Sequence, residues 1–151
     1  MKAVIQRVIE SSVSVGGEVV GASGKGYMIL VGVMKGDTEE QARLLAKKTA
    51  SLRVFEDENG KMNLSVLDVG GDILAISQFT LCADYKKGNR PSFTDGEEPE
   101  KAKALYDLYC DELKANGVKR VEKGVFGADM KVSLINDGPV TICFDTDVWQ
   151  R

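Results

Sequence analysis

"KAVIQRVIESSVSVGGEVVGASGKGYMILVGV", residues 2–33, decides the fold class. It reads as three strands. Gly16-Gly17 separates Val13 and Val15 from Val19 and Val20, a two-residue hairpin signal. Met28 to Val33 is a short continuous apolar run, the pattern of a buried strand. Charge inside the apolar run of "MKAVIQRVIE" marks it as a strand rather than a signal peptide.

Outward from this stretch, helices and further strands follow without regular β-α-β alternation. Thr38 and Gln41 fit a capping box, and Ala42, Leu45, Thr49 and Leu52 recur at helical spacing, predicting a helix over about 39–52. Asn59-Gly60 signals a hairpin, and "GGDILAISQFTL" predicts a strand reaching Leu81. A long polar loop precedes Pro99, which suits the first turn of a second helix. Ala102, Leu105, Tyr106, Tyr109 and Leu113 form its apolar stripe, and Gly117 sits at its end. Two more strands are predicted, over about 129–135 and 140–145, with Asn136-Asp137-Gly138-Pro139 between them as a turn. The expected class is α+β: an antiparallel barrel-like sheet with two main flanking helices. No repeat or internal boundary divides residues 1–151, so one domain is expected.

Composition excludes several chemistries. The 151 residues contain no histidine, which rules out Ser-His-Asp and Cys-His catalysis and His-ligated zinc. Cys82, Cys110 and Cys143 are widely spaced and odd in number, which predicts reduced, mostly packing residues, and Cys82 is not expected to act as a nucleophile. Phosphate-loop, dinucleotide and metal-ligand motifs are missing, so neither metal nor cofactor is expected. A net charge of −3 opposes broad coating of a nucleic-acid backbone but leaves room for a local grip on one RNA end. No apolar run approaches the roughly 20 residues of a membrane span, and a cytoplasmic protein is expected.

Three places have residues out of keeping with plain packing. In "ILAISQFTL", Gln78 and Thr80 share the strand face of Leu74 and Ile76, which reads as the polar floor of a pocket or as a wet rim. Arg7 shares an apolar face with Ala3, Ile5 and Ile9; it either finds carbonyl partners or snorkels at a sheet edge. Phe126 and Met130 flank Gly127-Ala128, as core or as a grip on a nucleobase. Lys86, Lys87 and Arg90 make a modest basic cluster in the long loop, while Glu97-Glu98 reads as solvated.

"SQFTL" at 77–81 and "NDGPVT" at 136–141 closely resemble the signature motifs of D-aminoacyl-tRNA deacylases. "IQRV" at 5–8, "GKMNLSV" at 60–66, "RPSF" at 90–93 and "ALYD" at 104–107 are similar to that family too. The tail "DTDVWQR" carries no motif and is assigned no function.

The resemblance implies a homodimeric hydrolase without cofactor. It would cleave the ester between a D-amino acid, or glycine, and the 3′-terminal adenosine of tRNA. Ser77, Gln78, Phe79 and Thr80 would form the catalytic site, with backbone N–H groups near Phe79 and Thr80 as oxyanion donors. Gly138-Pro139 would be a cis pair entering the partner subunit's site, where its carbonyls reject L-residues. Arg7 would hold those carbonyls, and Phe126 and Met130 would contact the substrate. The 2′-hydroxyl beside the ester would assist water, with Thr80 positioning the substrate. Two alternatives stay open: an esterase of small molecules with Thr80 as nucleophile, and a non-enzymatic nucleic-acid-binding dimer of the same fold.

Overall fold

The computed structural model describes residues 1–149; the last two residues of the tail "DTDVWQR" lie outside the described residues. Strand β1 (Lys2–Val15) is the spine. β2 (Glu18–Ser23) and β3 (Gly26–Gly32) lie end to end along one edge of it, and β8 (Lys131–Asp145) runs antiparallel along the other. Gly16 and Gly17 make the predicted hairpin turn with φ of 58° and 84°, a left-handed pair that other L-residues resist. Next come α1 (Glu39–Ser51), the hairpin of β4 (Arg53–Glu56) and β5 (Met62–Ser65), β6 (Asp72–Ser77), α2 (Pro99–Ala115), β7 (Val121–Lys123) and a short α3 (Thr146–Trp149).

The α+β class and the barrel-like curl are as expected. β1 pairs antiparallel with all its partners, but β3–β6 and β6–β7 are parallel, so the sheet is mixed rather than purely antiparallel. The helical crossovers between these strands are what permit parallel pairing. The curl brings β2 against β7: Arg120 donates to the Ala22 carbonyl at 3.0 Å, and a side chain at Gly21 would meet the Lys123 carbonyl at 2.7 Å.

Both faces of β6 are buried. Ile73 and Ala75 of β6 enter the main core beneath the helices, with Ile29, Leu45, Tyr109 and Leu113. Leu74 and Ile76 point inside the curl with Val8, Val13 and Met28. This is the predicted alternation of faces. α1 starts at Thr38, whose backbone N–H donates to the Gln41 side chain at 2.7 Å. Pro99 opens α2, whose predicted stripe is buried. The two helices join through the hydroxyls of Thr49 and Tyr109, 2.9 Å apart.

Two predicted elements differ. The β6 strand stops at Ser77, and Phe79–Cys82 is a turn of 3-10 helix. Gln78 makes the last sheet bond, donating to Val31 at 2.7 Å, before its own carbonyl accepts from Leu81 at 3.3 Å. The predicted strand pair at 129–135 and 140–145 is one strand, with no hairpin at Asn136–Pro139. Gln6 pairs with Thr141 and Val8 with Asn136, so Arg7 alone faces the bulged segment 137–140.

Candidate active site

The end of β6 opens into a cavity of about 280 Å³. Its position follows from the parallel pairing of β3 and β6, whose C-terminal ends meet at one rim beside the start of α2. Ser77, Gln78 and Phe79 supply one wall. Phe126 and Met130, on the connection from β7 to β8, supply the facing wall. Tyr106 closes the back, its ring 6.3 Å from that of Phe126 and its hydroxyl donating to the Ala75 carbonyl at 2.6 Å. That burial pushes the Tyr106 phenol far above its ordinary range, so it stays neutral.

Each sequence-predicted residue now has a place. Gln78 and Thr80 are neighbours, but through the 3-10 turn instead of a shared strand face. The Gln78 amide donates to the Thr80 hydroxyl, and Thr80 is exposed, next in sequence to the lining residue Phe79 but not itself in the lining. Phe79 is 64% exposed. The ladder of the turn begins at Leu81, so the N–H groups of Phe79 and Thr80 precede it and need partners from elsewhere.

Arg7 is 5% exposed and, of the two outcomes left open for it, has carbonyl partners instead of snorkelling. It donates to Val54 at 2.6 Å and to Asp137 at 2.9 Å. The resemblance implied a hold on the Gly-Pro carbonyls; the carbonyl held is that of Asp137, one residue earlier. The Asp137 carboxylate lies 3.6 Å from the same guanidinium. Gly138-Pro139 is cis, and both residues are exposed at the tip of the bulge. Neither they nor Arg7 line the cavity within one chain.

Three polar residues of the cavity carry no site signal in the sequence. Tyr106 was assigned to the α2 stripe, which is also true of it. Asp129 had no signal of its own. Glu97, expected from its sequence context to be solvated, has a side chain that is only 11% exposed and lies at the cavity, 3.1 Å from Lys101. Hydrogen bonding from the Glu98 N–H and then Lys101 lowers its pKa, so it is a carboxylate. The helical spacing of Glu97 and Lys101 was the available clue. Cys82 is buried with its thiol pKa raised by desolvation, which disfavours the thiolate. Cys110 is buried too, whereas Cys143 is exposed. Among the described residues, no cluster of acidic or cysteine side chains has metal-binding geometry.

The sequence profile of the D-Tyr-tRNA(Tyr) deacylase family matches residues 4–145. The chain belongs to this family. A D-aminoacyl-tRNA deacylase from Roseiflexus sp. (strain RS-1) is 55% identical over 151 residues, covering all of this chain and 97% of the relative. Among solved structures, the c-Myc DNA Unwinding Element Binding Protein is 43% identical with a TM-score of 0.90, over 96% of this chain and 98% of that one. A probable eukaryotic D-amino acid tRNA deacylase shares the fold at 20% identity and a TM-score of 0.81, over 95% and 97%. In deacylase-family terms, the two signature stretches of this chain lie apart: "SQFTL" at the cavity and "NDGPVT" on the bulge.

Proposed function

We propose that this family member is an ester hydrolase, a D-aminoacyl-tRNA deacylase, working as a single 1–151 domain in the cytoplasm. The observation that carries the reading is the cavity itself. It sets the turn of Phe79 and Thr80, with its unladdered N–H groups, opposite an aromatic and a thioether. Phe126 and Met130 take the flat face of the terminal adenine. The N–H groups of Phe79 and Thr80 take the carbonyl oxygen as it becomes an oxyanion. Water attacks the acyl carbon, the ester C–O bond breaks, and the leaving ribose oxygen gains a proton. The neighbouring 2′-hydroxyl relays protons, a role that spares the protein a histidine.

Chirality is set by exclusion. In a homodimer, the exposed Gly138-Pro139 tip of one subunit enters the cavity of its partner. Its carbonyls leave space for hydrogen and none for an L side chain, so D-residues and glycine pass. Arg7 fixes the tip by bracing Asp137 against Val54. Thr80 as nucleophile is disfavoured by its surroundings: its neighbour is the neutral Gln78 amide, which is no base in either orientation.

A second reading is binding without catalysis, favoured by a 43%-identical relative that is named for binding DNA. Hydrolysis of D-tyrosyl-, L-tyrosyl- and glycyl-tRNA, measured side by side without added metal, separates the two. Release from the D- and glycyl forms alone is expected. Equal release of all three would refute the exclusion mechanism, and release of none would favour the binding protein.

A further inference from the structure

We propose that the loop over residues 83–93, with Phe79, is a second subsite: a ledge for the unpaired ribonucleotides that precede the terminal adenosine. The proposal rests on the deacylase reading and extends its substrate contact beyond the cavity.

The loop hangs from the cavity rim. It leaves the turn that carries Phe79 and returns at Gly96, just before Glu97. Paired backbone bonds between Asp84 and Ser92, at 2.7 and 2.8 Å, pinch it shut at its base. The tip beyond that pinch carries Lys86, Lys87 and Arg90, all exposed, and no acidic residue. None of the three is in an ion pair among the described residues, whereas Arg43, Lys101, Lys103, Arg120 and Lys123 all are. In a chain of net charge −3 this is a local positive point. Aromatic surface accompanies it. Tyr85 is 77% exposed and Phe93 37%, and the Phe93 ring meets Phe79 edge-on at 5.2 Å.

Exposed rings interleaved with unpaired cations are what single-stranded nucleic acid requires, because bases stack on the rings while phosphates meet the charges. A duplex needs no rings, since its bases already stack on one another. A flexible strand leaving the cavity past Phe79 reaches Phe93 and Tyr85 in turn, with its phosphates towards Lys86, Lys87 and Arg90.

Two substrates test this: D-tyrosyl-tRNA, and the D-tyrosyl ester of adenosine alone, which fills only the cavity. The variants are Lys86→Ser/Lys87→Ser/Arg90→Ser together, and Tyr85→Ala. On tRNA, the triple variant should lose roughly tenfold or more in kcat/KM at low salt. Its salt-dependence slope should shrink by up to about 2, at about 0.7 per lost phosphate contact. Tyr85→Ala should lose roughly fivefold or more. Both should hydrolyse the adenosine ester as the unaltered protein does. Equal losses on both substrates, or none on tRNA, overturn the ledge while leaving the deacylase reading intact. Fluorescence anisotropy with a short single-stranded RNA ending in adenosine reads the ledge without catalysis. Binding that both variants weaken supports it even if no ester is cleaved; binding they leave unchanged refutes it. Sedimentation of the variants as monomers, from a dimeric parent, would instead assign the loop to the contact between subunits and overturn the proposal.

Discussion

Thr80→Ala separates water attack assisted by the substrate from attack by the protein. Among the described residues, the Thr80 hydroxyl has one hydrogen-bond partner, the Gln78 amide, and no base. If Thr80 only positions that amide and the substrate, its removal forfeits about 0.5–1.5 kcal/mol, the net worth of an ordinary hydrogen bond. That converts to a rate effect of roughly tenfold or less. The main-chain N–H groups of residues 79 and 80 survive the substitution, so the proposed oxyanion donors remain. Replacing the 2′-hydroxyl of the terminal ribose by hydrogen removes the assisting group itself and should cost far more. Single-turnover hydrolysis of D-tyrosyl-tRNA at one pH, with binding measured separately, gives both numbers. A nucleophilic threonine reverses the order: near-complete loss in Thr80→Ala, an acyl-enzyme on Thr80, and mild sensitivity to the 2′-deoxy substrate. A dead variant that binds normally would refute substrate assistance.

Three further outcomes are expected. Gly138→Ala must carry a side chain at φ of +133°, with Cβ 2.9 Å from the Val140 nitrogen and 3.2 Å from the Arg7 guanidinium; the roughly 1–3 kcal/mol of strain should deform the tip and relax D-over-L selectivity more than adenosine affinity, read from competing D- and L-tyrosyl-tRNA. Arg7→Met leaves the Val54 and Asp137 carbonyls unpaired, at about 1–3 kcal/mol for each that stays dry, so urea denaturation should show a lower midpoint alongside the same loss of selectivity. Asp107 has its pKa lowered: burial opposes this, but Lys103 and Lys123, at 2.8 and 2.6 Å, outweigh it. Its contribution is therefore complete above the ordinary carboxylate range and lost as pH falls through the lowered value. Asp107→Asn should lower the melting temperature at neutral pH and flatten its decline below about pH 4, checked by melts across pH.

Much of this molecule was legible from local patterns because those patterns have local causes. Gly16-Gly17 makes its turn by backbone freedom alone, the Thr38–Gln41 contact spans one helical turn, and Ile73 to Ile76 alternate because a strand does. What went unread depends on distant partners. "ISQFTL" keeps strand periodicity to Leu81, and only the Val31 carbonyl, which takes the last sheet bond at Gln78, marks where the turn takes over. Asn136–Pro139 has the composition of a hairpin, yet β1 pairs with β8 on both sides of it, a fact held in residues more than 120 positions away. Of the candidate site, Ser77, Gln78, Phe79, Phe126 and Met130 meet at one cavity, and Thr80 is exposed next to Phe79. Arg7 and Gly138-Pro139 lie outside that cavity within one chain, and the proposed dimer that would bring them there is something no spacing within one sequence expresses.

The bulge of β8 has a consequence for how this chain can vary in length. Paired feet at Asn136 and Thr141 fix how much chain spans the gap opposite Arg7. Adding or deleting one residue there would slip everything downstream by one position against β1. Side chains alternate faces along a strand, so buried Phe144 would swing outward and exposed Cys143 inward. Apart from Gly138, segment 137–140 should therefore accept exchanges of residue at its surface far more readily than insertions or deletions. An insertion series through 134–143, scored by soluble yield, should find this exposed tip as intolerant as a core strand.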